Sequence, residues 1–247
     1  MKFTRLKLIW LGLAVAGVGM WFVLTAKTDY PPFAPNMRKG DLFVIRAEAL
    51  HPTQQMVGFR EVKSKTEAFN RMSEEKLYAE LQDDNMVMII GPGGIPYLAD
   101  GHHAVRSLLN SNQTNKNIYG KVVENWSDMT QADFWKKMAE HGDAYLFDSE
   151  HNAIDPATLP QTVRDCINDP YRDLAAAVCH AGGFAKDLQV FYQEFIWAHY
   201  FRPLVKWDNS NDADYARAVT EAARLAHEPA ASALPGFSAA PMKGMKH

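Results

Sequence analysis

The longest hydrophobic run of the chain lies close to its N-terminus. Residues 8–26 read LIWLGLAVAGVGMWFVLTA, which is 19 residues without a charge. A helix of that length nearly matches the ~30 Å hydrocarbon core of a bilayer. Lys2, Arg5 and Lys7 precede the run, so the positive-inside rule keeps the N-terminus in the cytoplasm. We predict that residues 1–27 anchor the protein in the membrane and that the remainder lies in the periplasm or its equivalent. If the segment is instead a cleaved signal, the protein is secreted.

After a proline-rich linker at residues 28–40, the hydrophobic positions follow the periods of strands and helices. Short alternating or wholly apolar runs predict strands, and longer stretches that begin at a capping residue predict helices. The mixture predicts a small α+β domain over residues 41–145. Its predicted strands are 41–50, 86–91, 95–100 and 118–126, with an extended piece within 56–65, and its predicted helices are 73–84, 101–110 and 130–142.

The second half of the chain changes character. From Pro160 onward the apolar residues recur with helical spacing, and we predict an all-helical extension over residues 146–228. Residues 229–247 are rich in Ala, Ser, Pro and Gly and have little to bury, which predicts a disordered tail. The predicted fold class is α+β, with one N-terminal transmembrane helix, a small mixed domain and a helical C-terminal extension.

The charge of the chain changes the picture of its partners. Lys and Arg total 26 and Asp and Glu total 29, and four of the basic residues lie before residue 28, where there are no acids. From residue 28 onward the count is 22 against 29, or −7. Sequence-independent binding to DNA or RNA needs clustered cations, so general coating of nucleic acid is not expected. Two cysteines, Cys166 and Cys179, leave one disulfide open as a possibility.

The segment Asp100-Gly101-His102-His103 carries the most distinctive candidate chemistry. It lies where a predicted strand runs directly into a predicted helix. We expect Asp100 to cap the helix, Gly101 to allow a ligand close to the backbone, and the first-turn N–H groups to bind phosphate. His102 or His103 would act as an acid or base near neutral pH, and Arg106 would reach back to the phosphate. Asp100 is also the candidate ligand for a divalent cation such as Mg²⁺ or Mn²⁺.

Four further residues are weaker candidates for the same site. Thr53 and Gln54 follow a predicted strand and are expected to contact the ligand, although a polar turn after Pro52 explains them equally well. Glu61 and Lys65 are candidates for a base and a phosphate clamp. Alternating charges on a strand are more often a solvated face, so both readings stay open.

The motif at 100–103, at the start of a helix after the turn at 91–94, resembles the signature of the ParB/sulfiredoxin superfamily. More specifically, the chain over residues 40–205 is similar to the ParB-like nuclease family. The supporting segments, in chain order, are His51-Pro52-Thr53-Gln54, Val57-Gly58, Glu61-Val62, Lys65, Asp169-Pro170-Tyr171-Arg172, Gly182-Gly183-Phe184, Glu194-Phe195-Ile196-Trp197-Ala198 and Arg202.

This resemblance implies a site that binds nucleotide or phosphate at the strand-to-helix junction. It implies a hydrolase or nuclease acting on a phosphate ester or nucleic acid, with a phosphate-containing ligand as its partner. Two differences stand out. His102 occupies the place of the cysteine of sulfiredoxin, so sulfinic-acid repair is not available, and residue 104 is Ala where an Arg usually follows. The alternatives are a non-catalytic module that binds an anion or a partner, and a phosphotransferase.

Overall fold

The computed structural model describes residues 30–84, 86–187 and 190–240. Within these ranges, none of the helices has both the length and the apolar composition to cross a bilayer. The hydrophobic run at 8–26 lies outside the described residues, and the membrane anchor therefore stays a prediction.

A five-stranded mixed sheet forms the centre of the first half of the chain. Its strand order is β1-β6-β4-β5-β2. β4 pairs antiparallel with β5 and parallel with β6, while β1 is antiparallel to β6 and β2 is parallel to β5. A short 3-10 turn, Pro92–Gly94, joins β4 to β5. The strands are β1 (Leu42–Arg46), β2 (His51–Pro52), β4 (Met86–Gly91), β5 (Ile95–Asp100) and β6 (Asn117–Asn125).

Helices cover both faces of this sheet. On β4, Met88 and Ile90 belong to one apolar cluster with α1, α2 and α3, whereas Ile89 belongs to the opposite cluster with Phe134 of α4. A central strand buried on both faces has no polar side, which explains the continuous apolar sequence MVMIIG. The helices are α1 (Phe59–Arg71), α2 (Glu74–Asp84), α3 (His102–Asn110) and α4 (Gln131–His141).

The second half adds three helices with an aromatic and alanine-rich core of their own. These are α5 (Pro170–His180), α6 (Gln193–Phe201) and α7 (Asp212–Leu225). Two sets of contacts join these helices to the first half of the chain. A pair of two-residue strands, β3 (Met56–Val57) and β7 (Ile167–Asn168), runs in parallel. In addition, the carboxylate of Asp173 on α5 accepts hydrogen bonds from the amides of Arg60 and Glu61 at 2.9 and 3.0 Å.

The extended piece predicted within 56–65 is wrong beyond its first residues. Only Met56–Val57 is a strand, and α1 begins at Phe59. Gly58 at the N-cap has no side chain with which to cap the helix, and Asp173 supplies that acceptor from far along the chain. The residues next to Gly58 in the sequence therefore do not indicate that a helix begins there.

The disordered tail predicted from residue 229 is also wrong as far as residue 240. Ala231 is fully buried, and Leu234 and Phe237 pack against the core of α5, α6 and α7. The carbonyl oxygen of Pro235 accepts hydrogen bonds from Trp197 Nε1 at 2.9 Å and from Gln193 Nε2 at 3.0 Å. Small residues and prolines fit closely against α6, which composition did not reveal. Residues 241–247 lie outside the described part of the chain.

The Trp197→Phe substitution tests this packing of the tail. We expect a loss of about 1 kcal/mol in the free energy of unfolding, because phenylalanine keeps most of the ring volume but removes the N–H donor to Pro235. Gln193 still donates to the same carbonyl, which keeps the loss small. Denaturant unfolding measures it, and an unchanged midpoint would mean that the tail does not dock on α6.

Cys166 and Cys179 are both buried, free thiols. Cys166 packs with Val57 and Val62, whereas Cys179 lies in the core of the three C-terminal helices. The disulfide that the sequence left open is therefore not formed in this structure.

Candidate functional site

A cavity of about 330 Å³ opens at the start of α3. Its lining comes from the junction of β5 with α3, the first turns of α1 and the segment from α5 to α6. Gln54, the end of α2 at Asp84 and the start of β4 complete it. The structure therefore brings seven of the predicted site residues to one cavity, and these are Gln54, Glu61, Lys65, Asp100, Gly101, His102 and His103. The predicted set of site residues did not include several other lining residues, among them Arg172, Lys186, Asp187, Phe191, Tyr192 and Glu194.

Gly101 is the N-cap of α3 and has a left-handed backbone, with φ at +101°. The first helical bond runs from the amide of Val105 to the carbonyl of Gly101 at 3.0 Å. The amides of the intervening residues, 102–104, belong to the first turn and have no acceptor within the helix. Asp100 does not cap the helix as the sequence predicted. Its Oδ1 instead accepts a hydrogen bond from the adjacent amide of Gly101 at 2.7 Å.

His102 points into the protein rather than toward a ligand. It is only 3% exposed, and its Nε2 accepts a hydrogen bond from the backbone amide of Thr53 at 3.1 Å. A backbone amide can only donate, so Nε2 carries no proton and the neutral ring holds its proton on Nδ1. Burial lowers the pKa of His102 to about 3. In this geometry the ring has no free lone pair to act as a base.

His103 is held in the same way. Its Nε2 accepts from the amide of Gly58 at 2.9 Å, and Glu61 Oε2 lies 3.9 Å from that nitrogen. Burial, aided by the positive charge of Arg172, lowers the pKa of His103 to about 3 despite the nearby carboxylate. The two histidines thus tie the segment 53–58 to α3. Each remains a possible hydrogen-bond donor through Nδ1, and neither is placed as a base.

Two predicted ligand contacts lie away from the cavity. Arg106 Nη1 donates to the carbonyls of Val163 and Cys166 at 3.1 and 3.0 Å, and also to that of Arg164, so it holds the loop before β7. Thr53 is fully buried, and its Oγ1 donates to the carbonyl of Leu98 at 2.8 Å. Both are structural in this arrangement, because neither side chain is among those that line the cavity.

Two cationic side chains of the cavity are held in ion pairs. Arg172 Nη1 pairs with Glu61 Oε2, and Lys186 Nζ lies 2.5 Å from Glu194 Oε1. Burial alone would raise the pKa of Glu61, but the charge of Arg172 outweighs burial and the pKa falls to about 2. The Nε of Arg172 is buried and makes no hydrogen bond to any group that the structure describes.

Gln54 and Tyr192 complete the wall of the cavity. Gln54 is almost fully buried and donates through Nε2 to the carbonyl of Met56. Tyr192 has a left-handed backbone, and its hydroxyl makes contacts at 3.0–3.3 Å with Thr53 Oγ1 and the carbonyls of Ala99 and Asp143. This network fixes the start of α6 against the end of β5.

The donor set does not fit a divalent cation. In the described ranges, no group of three or more His, Cys, Asp or Glu residues is arranged to hold a metal ion. Glu61 and Glu194 are already paired with Arg172 and Lys186. The expectation that Asp100 holds Mg²⁺ or Mn²⁺ therefore has no cluster of further protein ligands to support it in the described part of the chain.

Comparison with known proteins places the chain in a family. The family model described as Putative ParB-like nuclease matches residues 43–203. Among solved structures, protein Atu1540 from Agrobacterium tumefaciens is similar, with 30% sequence identity and a TM-score of 0.68. The similarity covers 80% of this chain and 97% of that one. No curated protein matches the chain. The matched region contains the sheet from the second residue of β1 onward and the cavity at α3, and the chain therefore belongs to the ParB-like nuclease family.

Proposed function

We propose that this protein binds the phosphate group of an ester in the cavity at the start of α3. The proposal rests on two features that occur in the same cavity. The first turn of α3 and three cations, Lys65, Arg172 and Lys186, line one cavity of about 330 Å³. That volume is at the lower end of the range for small-molecule sites.

The start of α3 favours an anion for two reasons. Its first-turn amides have no acceptor within the helix, and the helix dipole places partial positive charge at this end. Gly101 adds no side chain in front of these amides. Arg172 supplies a planar, charged donor group, which suits the oxygens of a phosphate.

Membership of the family favours hydrolysis of the bound ester as the activity. The histidines have their Nε2 lone pairs engaged, which leaves neither of them free to act as a general base. In hydrolysis the oxygen of a water molecule would bond to phosphorus, the bond from phosphorus to the leaving oxygen would break, and the proton released by the water would pass through solvent to that oxygen. The rival proposal is binding without turnover, and it is supported by the same observation on the amides and cations.

The Lys186→Met substitution tests the phosphate site. We expect the affinity for glycerol 3-phosphate, measured by calorimetry, to fall about three- to fivefold, the size expected for one partly exposed charge. Lys186 is about a third exposed but pairs with the largely buried Glu194, so thermal unfolding of the variant checks that it stays folded. Lys136→Met is the matched control, because Lys136 is exposed and does not line the cavity.

Turnover of a chromogenic phosphodiester by the same proteins separates the two proposals. Hydrolysis that Lys186→Met weakens and Lys136→Met leaves unchanged would support turnover in this cavity. Binding without hydrolysis would favour the binding module. If the wild-type protein neither binds nor hydrolyses any phosphate ester, the proposed function is wrong.

A further inference from the structure

The cavity at α3 has more acidic than basic groups. Five carboxylates line it, and they belong to Glu61, Asp84, Asp100, Asp187 and Glu194. The cations among the described lining residues are the three of Lys65, Arg172 and Lys186. His102 and His103 are neutral because their pKa values lie near 3. The formal charge of the described lining is therefore −2.

Each of the three cations already has an acidic partner. Arg172 pairs with Glu61, Lys186 pairs with Glu194 at 2.5 Å, and Lys65 Nζ lies 3.8 Å from Asp84 Oδ2. A phosphate dianion that entered alone would share these cations with carboxylates and would add negative charge to a lining that is already negative. Like charges brought together in a partly enclosed site weaken binding. A ligand that brings a positive charge together with its phosphate avoids this cost.

Asp100 and Phe191 offer a place for that positive charge. Asp100 is exposed on the cavity and forms no ion pair with any cation in the described ranges. Phe191 lines the same cavity and is 50% exposed, so its ring is open to a ligand. A carboxylate and an aromatic face are the two groups that bind an organic ammonium ion well.

We propose that the natural ligand is a small phosphate ester that carries an ammonium group. Its phosphate binds at the first turn of α3 and Arg172, and its ammonium group binds at Asp100 and the ring of Phe191. This inference rests on the proposed function and specifies its substrate class. A divalent metal bound to the phosphate would bring the same charge, and the binding measurements with and without Mg²⁺ below separate the two cases.

A matched pair of ligands tests the inference. Phosphoethanolamine and glycerol 3-phosphate are similar in size, and only the first carries an ammonium group. We expect phosphoethanolamine to bind about tenfold more tightly by calorimetry, as one ion pair and one cation–π contact together allow. Asp100→Asn should remove this preference, since asparagine keeps an acceptor for the amide of Gly101 but not the charge. Asp128→Asn, at an exposed acid that does not line the cavity, should leave it unchanged.

The possible results separate the inference from the function on which it rests. Equal affinity for the two ligands, or a preference that survives in Asp100→Asn, would overturn the inference and leave phosphate binding standing. The same holds if glycerol 3-phosphate binds tightly only when Mg²⁺ is added, because the metal then brings the charge. If neither ligand binds with or without Mg²⁺, both the inference and the proposed function fail.

Discussion

Lowering the pH from 7 to 5 is expected to reduce the free energy of unfolding by about 3 kcal/mol. The main cause is the pair of buried histidines that tie the segment 53–58 to α3. Their pKa values are about 3 in the folded protein, against about 6.5 in an unfolded chain. Between pH 7 and 5 the unfolded chain therefore takes up protons that the folded protein does not, and each histidine costs about 2 kcal/mol of stability.

Asp173 acts in the opposite direction over part of this range. Burial raises its pKa to about 6, although the amides of Arg60 and Glu61 work against that rise. The pKa of Asp173 in the folded protein lies above its unfolded value of about 4, so protonation of this group stabilises the protein as the pH falls. The gain between pH 7 and 5 is about 1 kcal/mol. Glu61, whose pKa is depressed to about 2, keeps its contribution in this range and loses it only below about pH 4.5.

Urea unfolding at pH 5, 6 and 7 measures the expected fall. His103→Gln should remove roughly half of the histidine contribution, because glutamine can accept from the amide of Gly58 without titrating. His141→Gln is the matched control, since that ring is about half exposed and lies outside the cavity. A stability that does not change between pH 7 and 5 would mean that the two rings are not buried as the structure shows them.

Replacing Gly101 with alanine is expected to cost about 2–4 kcal/mol of stability. The backbone there has φ at +101°, which is unfavourable for any residue with a Cβ. An added Cβ would also overlap the sulfur of Met86 at the start of β4. The sequence predicts that this glycine allows a ligand to lie close to the backbone. The structure shows that the turn itself requires a glycine at this position. A Gly101→Ala variant that lost phosphate binding would therefore not show by itself that the ligand binds next to Gly101.

Gly40→Ala is a close control for this substitution. Gly40 has φ at +98°, and an added Cβ would meet nothing within 4 Å. Its loss of stability measures the cost of the backbone conformation alone, expected at about 1–2 kcal/mol. The difference between the two variants is the cost of the overlap with Met86, and adding Met86→Ala to Gly101→Ala should recover part of it. Equal losses for the two glycines would show that the overlap relaxes freely.

The elements that the sequence predicted well are those whose signals are local. β4 and β5 follow from apolar runs on either side of a Pro-Gly-Gly turn, and α4 follows from Thr130 at its start and Gly142 at its end. Ser73 accepts from the amide of Lys76 at 3.3 Å, as its position before α2 suggested. Each of these signals lies within a few residues of the element that it defines, and no distant partner is needed.

What the sequence could not supply was the direction in which the site residues point. Arg106 lies one turn from the junction, and only the loop at 163–166 explains why it turns away. The roles of the histidines depend on amides about 45 residues earlier in the chain. Arg172 and Glu194 line the cavity from more than 60 residues beyond the motif. Both lie in segments that carry the family resemblance, and that was the one signal that could have identified them.

The hydrogen bonds of Asp173 to the start of α1 also affect how the protein is made. A ribosome releases α1 more than 100 residues before it releases the carboxylate that caps that helix. Until α5 has emerged, the start of α1 lacks its acceptor and the strand β3 lacks β7. The walls of the cavity are thus assembled late, after most of the chain has been synthesised. Long-range contacts of this kind slow folding, and a nascent chain of this protein exposes an incomplete site while it waits for its C-terminal helices.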